Sequence, residues 1–115
     1  MPKSDTVRIR HMLDAAKEAV AFTEGKTRGD LDSDRKLNLS LVRLIEVVGE
    51  AANQVSAETQ ARCAQVPWPD IIGMRHRLVH GYDEVDLDIV WQVVTLDLPS
   101  LVVALEEILQ AEDKG

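Results

Sequence analysis

The 115-residue sequence is poor in cysteine and in aromatic residues, and both shortages exclude classes of protein. A single cysteine, Cys63, can form no intrachain disulfide and cannot supply a cysteine-rich zinc module. With two Trp, one Tyr and one Phe, the core must be aliphatic. Uninterrupted apolar runs are only a few residues long, which argues against a membrane span, and the first residues lack the apolar segment of a secretory signal. We therefore expect a single cytoplasmic domain over residues 1–115.

Positive charge is also scarce. Thirteen basic residues against twenty acidic residues give a formal net charge of −7 and a pI near 4.8. Such a surface repels nucleic acids in general, so we expect no binding to DNA. A protein of this charge that handles RNA must do so at a local basic site.

Apolar residues that recur every three or four positions predict helices along most of the chain. The predicted helices cover residues 5–23, 37–55, 57–65 and about 69–80. A polar segment with two glycines, residues 25–30, separates the first helix from the second.

Polar residues, proline and glycine indicate where these helices begin and end. Ser4 or Asp5 is the candidate N-cap of the first helix, and Ser56 is the candidate N-cap of the third. Pro69 fits the first turn of the fourth helix, where its missing N–H is no loss. Gly81 is expected to end that helix, because glycine tolerates a left-handed conformation.

The segment 85–98 is compatible with two structures. Its start alternates apolar and polar residues as a strand does, but apolar residues at helical spacing continue past Pro99 to Ile108. The longer pattern favours a helix that is kinked or interrupted at Pro99, with Asp83 or Asp86 as its N-cap. Together the segments predict an all-α bundle of four to five helices with antiparallel neighbours.

Chemically active side chains concentrate in one segment, which contains Arg75, His76, Arg77, His80 and Tyr82. The two arginines make it locally positive in a negative protein. A guanidinium suits a phosphate, and histidine titrates near neutrality and can move a proton. These groups are enough to cleave RNA without a metal. A base removes the proton of a ribose 2′-hydroxyl, the oxygen attacks the adjacent phosphorus, and the guanidinium stabilises the developing charge.

The spacing of Arg75 and His80 sets a geometric condition. On a continuous helix, residues five apart point roughly 140° away from each other. The two side chains converge only if the helix ends near His80, which Gly81 supports, or if a second copy of the chain brings its own residues close. The second arrangement is natural near a two-fold axis.

Two other interpretations of this segment stay open at the level of spacing. His76 and His80 are four residues apart, as in a two-histidine metal site, and Asp83 or Glu84 could add a carboxylate. Spacing alone identifies no third ligand, so we expect no metal and no cofactor. The residues could also have ordinary structural roles, with Arg77 as a solvated charge and His80 as a partner of helix C-terminal carbonyls.

Short motifs occur in a fixed order over nearly the whole chain. They are Ile45–Ala52, Pro67-Trp68, Gly73–Arg75, Leu78–Tyr82 and Val90-Trp91, with His11–Asp14 and Phe22–Gly25 nearer the N-terminus. In this order they resemble the HepT-like branch of the HEPN superfamily, including its functional pattern of arginine, four residues, histidine, any residue and tyrosine. The resemblance implies a homodimeric helical bundle in which the Arg/His motifs meet in a cleft at the interface.

The resemblance also implies a function. Many members are metal-independent endoribonucleases that act as toxins of toxin–antitoxin pairs, and by motif position Arg75 and His80 are the catalytic residues. The antitoxin of such a pair is a minimal nucleotidyltransferase that transfers AMP to the motif tyrosine, here Tyr82. The added charge and bulk would block the place where an RNA phosphate binds.

Several residues near the motif have less defined roles. His76 stands where the family commonly has asparagine or another polar residue, and it adds a titratable group. Arg77 is a candidate phosphate contact or a plain surface charge. Glu46 and Glu50 match the family pattern but also fit the polar face of a helix. The alternative function is a non-catalytic binding subunit of a nucleotidyltransferase complex, which the acidic surface fits equally well.

Overall fold

A computed structural model describes residues 1–81 and 84–114 of the protein, and these residues are helical almost throughout. The helices before the motif are α1 (Lys3–Thr23), α2 (Asp30–Ser33), α3 (Arg35–Gln54), α4 (Ala57–Arg62), α5 (Trp68–Ile72) and α6 (Met74–Leu78). A last helical stretch consists of α7 (Leu87–Gln92), a π-helical turn (Val93–Asp97) and α8 (Leu98–Lys114).

The all-α prediction is confirmed, although the described residues form seven helices, counting the last stretch as one, where four or five were expected. Two differences account for this. The segment after residue 25 closes with the short helix α2, and Gly73 divides the predicted fourth helix into α5 and α6. The strand alternative for 85–98 is wrong, because the segment is helical from Leu87 onward.

Helix α1 lies at the centre of the bundle, between α3 and α8. The amino group of Met1 lies 3.5 Å from Glu112 near the end of α8, and Lys17 lies 3.9 Å from Glu106, which is earlier in α8. The order of these pairs shows that α1 and α8 run antiparallel, as predicted.

The core between the long helices is aliphatic, as the composition requires. Its fully buried residues include Ile9, Met12, Ala16, Ala19, Leu41, Ile45, Val48, Ala52, Leu98 and Leu105. Small alanines on α1 and α3 let the two helices approach closely, and burial of each large aliphatic side chain contributes about 1.5–3 kcal/mol. This core is the support on which the shorter helices rest.

Asp5 has a different role from the predicted one. Neither Ser4 nor Asp5 caps α1; Pro2 occupies the N-cap position without a side-chain hydrogen bond. The Asp5 carboxylate is instead 3% exposed and accepts hydrogen bonds from the Ser56 N–H (3.0 Å), the Ser56 hydroxyl (2.6 Å) and the Thr59 hydroxyl (2.6 Å). It thereby ties the start of α1 to the residues that follow α3. Ser56 caps α4 as predicted, with its hydroxyl oxygen accepting from the Thr59 N–H.

The segment with α5 and α6 is held close to α3. Pro69 lies in the first turn of α5, as predicted, and the Trp68 indole N–H donates to the Cys63 carbonyl at 3.0 Å. At Gly49 of α3, a Cβ atom would lie 3.3 Å from the Ile71 carbonyl oxygen, so glycine permits the close approach of α5. This packing fixes where the motif begins.

The interruption predicted at Pro99 is a π-helical turn that ends at Asp97, two residues before the proline. Pro99 has no N–H to offer to the carbonyl of Thr95, and the Leu98 N–H donates five residues back to Val93 instead of four. The helical stretch Leu87–Lys114 is nevertheless long and apolar enough, by length and composition, to cross a membrane, although no uninterrupted apolar run suggested it. One such helix is weak evidence of a membrane span; its inward face packs in the bundle, and 28% of its most apolar window is buried.

Candidate active site

Arg75 projects from the short helix α6 towards solvent. Met74 and Leu78 are buried and anchor the helix in the core, which leaves the side chains between them on the outside. The Arg75 side chain is 55% exposed, and its Nε lies 3.9 Å from an Oε2 of Glu46 on α3. This distance describes a loose ion pair, so the guanidinium is available to a phosphate.

His80 follows the end of α6 in an extended turn. The helix ends at Leu78, so the prediction that Gly81 ends it is wrong. Val79 is extended and forms an isolated antiparallel bridge with Val85. This pairing takes the place of a further helical turn after Leu78. Gly81 has a φ of +131°, which strains any other residue, so it serves the turn and not the helix end.

The side chains of Arg75 and His80 were expected to converge only if the helix ended near His80 or if a second copy contributed its own residues. The end of α6 at Leu78 meets the first condition, because the two residues are no longer on one continuous helix. Their polar partners still lie on different elements. Arg75 faces Glu46 on α3, whereas His80 faces Asp86 at the start of α7.

His80, like Arg75, lies close to a carboxylate, which in this case is that of Asp86. The His80 side chain is 59% exposed, and its Nε2 lies 3.5 Å from an Oδ2 of Asp86. The other oxygen of Asp86 accepts from the Ile89 N–H at 3.2 Å, which confirms Asp86 as the N-cap of α7. The Ile89 N–H, and next the His80 ring, lower the pKa of Asp86 below its usual value despite partial desolvation. The carboxylate is therefore ionised at neutral pH and can orient the imidazole.

The backbone fixes this pair from both sides. The His80 N–H donates to the Glu84 carbonyl at 2.8 Å, and the Asp86 N–H donates to the Leu78 carbonyl at 2.7 Å. Tyr82 and Asp83 lie between these bonds but outside the described residues. The prediction that Tyr82 is an AMP acceptor therefore stays a prediction, whereas the choice between Asp83 and Asp86 as the N-cap of α7 is settled in favour of Asp86.

The two secondary candidates, His76 and Arg77, have different surroundings. His76 borders the same depression as Arg75, of about 260 Å³ between α3 and α6. Arg77 turns to the opposite side and forms an ion pair with Asp97 in the π-helical turn, with an Nη2–Oδ2 distance of 2.8 Å. Its role as a phosphate contact beside Arg75 is therefore not supported, and the alternative of a structural surface charge fits its position.

The two-histidine metal arrangement does not form in the way its spacing suggested. Since α6 ends at Leu78, His76 and His80 do not share a helical face. Within residues 1–81 and 84–114, no group of three or more His, Cys, Asp or Glu side chains is placed to hold a metal ion.

Sequence reasoning missed how the carboxylates and a further arginine are combined at this site. Glu46 lies between Arg75 and Arg43, whose Nη1 is 3.7 Å from the same Oε2 atom. Helical spacing could have paired Arg43 with Glu46, because they are three residues apart. No spacing rule links Glu46 to Arg75 or Asp86 to His80, since tertiary packing brings both pairs together.

Comparisons with known proteins identify the family of the chain. The sequence profile of the family described as "Ribonuclease HepT-like" matches residues 12–108. A "Putative RNase" of Caldanaerobacter subterraneus is 32% identical over 104 residues, which cover 90% of this chain and 93% of that protein. A "Probable ribonuclease HepT" of Thermococcus cleftensis is 31% identical over 93 residues, 77% of this chain and 84% of that protein.

A third relative is longer. The "Gamma-glutamylcyclotransferase and putative RNase" of Methanocaldococcus jannaschii is 30% identical over 115 residues, which are the whole of this chain and 52% of that protein. The chain thus spans about half the length of that relative. No solved structure matches the sequence.

Proposed function

The chain belongs to the HepT-like ribonuclease family, and from that premise we propose that it is a metal-independent endoribonuclease whose catalytic residues are Arg75 and His80. The observation that carries the proposal is the arrangement on either side of one helix end. Both side chains are more than half exposed, and among the described residues each has one carboxylate partner. Neither side chain is buried in the core, so both are accessible to an RNA substrate.

The proposed reaction is an attack of the ribose 2′-hydroxyl on the adjacent phosphorus. His80 accepts the 2′-hydroxyl proton, the 2′-oxygen forms a bond to phosphorus, and the bond from phosphorus to the 5′-oxygen breaks. The 5′-oxygen leaves with a proton supplied by an imidazolium or by water, which gives a 2′,3′-cyclic phosphate and a 5′-hydroxyl. Arg75 stabilises the negative charge that develops on the non-bridging oxygens.

Asp86 takes the part of a positioning residue in this reaction. Its Oδ2 accepts from Nε2 of His80, which leaves Nδ1 as the nitrogen free to take the proton. The carboxylate also stabilises the imidazolium that forms. The N-cap bond to Ile89 holds Asp86 in place while His80 changes protonation state.

A second copy of the chain completes the proposed site. Arg75 and His80 have partners on different elements, so a homodimer with its axis near the motif offers a groove where the groups of two copies face one RNA strand. The proposed setting is the cytoplasm.

The proposed biological role is that of a toxin that a nucleotidyltransferase antitoxin inhibits. The antitoxin would transfer AMP from ATP to the Tyr82 hydroxyl and release pyrophosphate. The modified residue would follow His80 by two positions in the sequence, and the negative charge of the added AMP would oppose the binding of an RNA phosphate.

The experiment compares two neighbouring arginines of α6 that carry the same charge. Purified wild-type protein, Arg75→Gln and Arg77→Gln are incubated with single-stranded RNA and tRNA in excess chelator. We expect cleavage by the wild type and by Arg77→Gln, and a loss of at least about a hundredfold in Arg75→Gln. Equal loss in both variants would contradict the assignment of Arg75.

Expression without a partner separates the toxin from the alternative function. A ribonuclease toxin arrests growth, and co-expression of its antitoxin restores it. A non-catalytic binding subunit would leave growth unchanged in both cases and would release no RNA fragments.

A further inference from the structure

A shallow depression beside the candidate active site carries basic residues that the proposed reaction does not use. Arg8 and His11 of α1 and Arg43 of α3 line it, together with Val47, Glu50, Ala51 and Gln54. Arg8 and His11 are three residues apart and so lie on the same face of α1. In a protein of net charge −7, a surface that gathers such groups is an exception.

The depression is continuous with the site around Arg75. Arg43 and Arg75 each lie within 4 Å of the same oxygen, Oε2 of Glu46, which places the two guanidiniums on either side of one carboxylate. Glu50 borders both depressions. An extended ligand on Arg75 therefore reaches Arg43 without crossing another element.

The ion pairs of Arg43 with Glu46 and Glu50 are weak enough for a phosphate to replace them. Its side chain is 64% exposed, and its Nη1 lies 3.7 Å from Glu46 and 3.8 Å from Glu50, both longer than a charge-assisted hydrogen bond. Exposed ion pairs of this kind contribute about 0–1 kcal/mol. Within the described part of the chain, Arg8 has no carboxylate within 4 Å.

We propose that Arg43, with Arg8 and His11, forms a second phosphate-binding subsite that holds the RNA backbone next to the phosphate at Arg75. The inference rests on the proposed ribonuclease function and adds the path of the substrate. Phosphate oxygens replace Glu46 and Glu50 as partners of Arg43, and the strand then runs from α6 across α3 towards α1. The proposed ligand is a single strand, whose phosphate backbone contacts the basic side chains of this shallow surface.

The test measures binding in a background that cannot cleave. The His80→Ala protein and its double variant with Arg43→Gln are titrated with a single-stranded hexanucleotide and with a dinucleotide that carries only one phosphodiester. We expect Arg43→Gln to weaken binding of the hexanucleotide about five- to tenfold and to lower the slope of log K against log salt by about 0.7, the value for one phosphate of a single strand. Binding of the dinucleotide should change by less than about twofold.

The matched control is Arg10→Gln, which removes the same charge from α1, where Arg10 pairs with Asp113 at 3.7 Å. It should leave both the affinity and the salt slope unchanged. An equal effect of Arg10→Gln and Arg43→Gln, or no effect of either, would overturn the subsite. If the wild type cleaves RNA but Arg43→Gln binds it normally, the subsite fails alone; if the wild type cleaves nothing, the proposed function fails.

Discussion

The carboxylate of Asp5 accepts three hydrogen bonds, so we expect its removal to lower the free energy of unfolding. Asp5→Ala leaves the buried Thr59 hydroxyl and the half-buried N–H and hydroxyl of Ser56 without their acceptor. Hydrogen bonds to a charged group contribute about 1.5–3 kcal/mol each, but burial of the charge itself costs free energy and offsets part of this. Because each donor left without an acceptor costs about 1–3 kcal/mol, we expect a net loss of about 3–5 kcal/mol in the free energy of unfolding.

A loss of this size is easy to measure. It corresponds to a decrease in Tm of roughly 10–20 °C for a domain of this length, followed by circular dichroism or urea denaturation. Asp5→Asn keeps the volume and one acceptor oxygen, so we expect a smaller loss of about 1–3 kcal/mol. Asp14→Asn, an exposed aspartate on the same helix, is the control and should change stability by less than about 0.5 kcal/mol. A loss below about 1 kcal/mol in Asp5→Ala would show that these hydrogen bonds do not stabilise the fold.

The same carboxylate predicts how stability depends on pH. Burial raises the pKa of Asp5, but the hydrogen bonds from Ser56 and Thr59 outweigh it and leave the pKa below the ordinary value of 3.8. Because the folded state lowers this pKa, the stabilisation is complete above 3.8 and is lost as the pH falls through the folded value. The difference in stability between wild type and Asp5→Asn should be constant from about pH 5 to 8 and shrink below pH 3.8.

Two further predictions concern the support of the candidate active site. Gly49→Val places a side chain against the carbonyl oxygens of Ile71 and Ile72, so we expect about 1–3 kcal/mol of destabilisation in urea and a loss of RNA cleavage in the fraction that stays folded; full activity with unchanged stability would show that α5 does not depend on this close approach. Asp86→Asn keeps the acceptor for the N-cap bond but not the charge beside His80, so we expect an unchanged Tm, a decrease of at least about tenfold in kcat, and a changed ring tautomer of His80 in nitrogen-15 NMR spectra. An Asp86→Asn protein with the wild-type tautomer and kcat would remove Asp86 from the proposed mechanism.

The long helices could be predicted from the sequence because each has an apolar face whose period is local. The segment 37–55 was expected to be a helix and lies almost entirely in α3, and Ser56 was recognised as a cap by its position alone. The role of Asp5 could not be recognised, because its partners are more than fifty residues away and a helix-start aspartate usually caps.

The motif residues could be located from the sequence, but their surroundings could not. Arg75 and His80 were singled out by residue type, and the structure exposes both. The end of α6 at Leu78 depends on the pairing of Val79 with Val85, which no helix signal encodes. The opposite direction of Arg77 likewise depends on a partner in a distant helical turn.

If His80 moves a proton at an RNA phosphodiester, the ends of the cleaved fragments reveal it. Wild-type protein and His80→Ala, both verified as folded by circular dichroism, are incubated with a single-stranded RNA in excess chelator, and the fragment ends are analysed by mass spectrometry. We expect 2′,3′-cyclic phosphate and 5′-hydroxyl ends from the wild type, and no fragments from His80→Ala. Undiminished cleavage by His80→Ala, or fragments with 5′-phosphate ends, would rule out this role of His80.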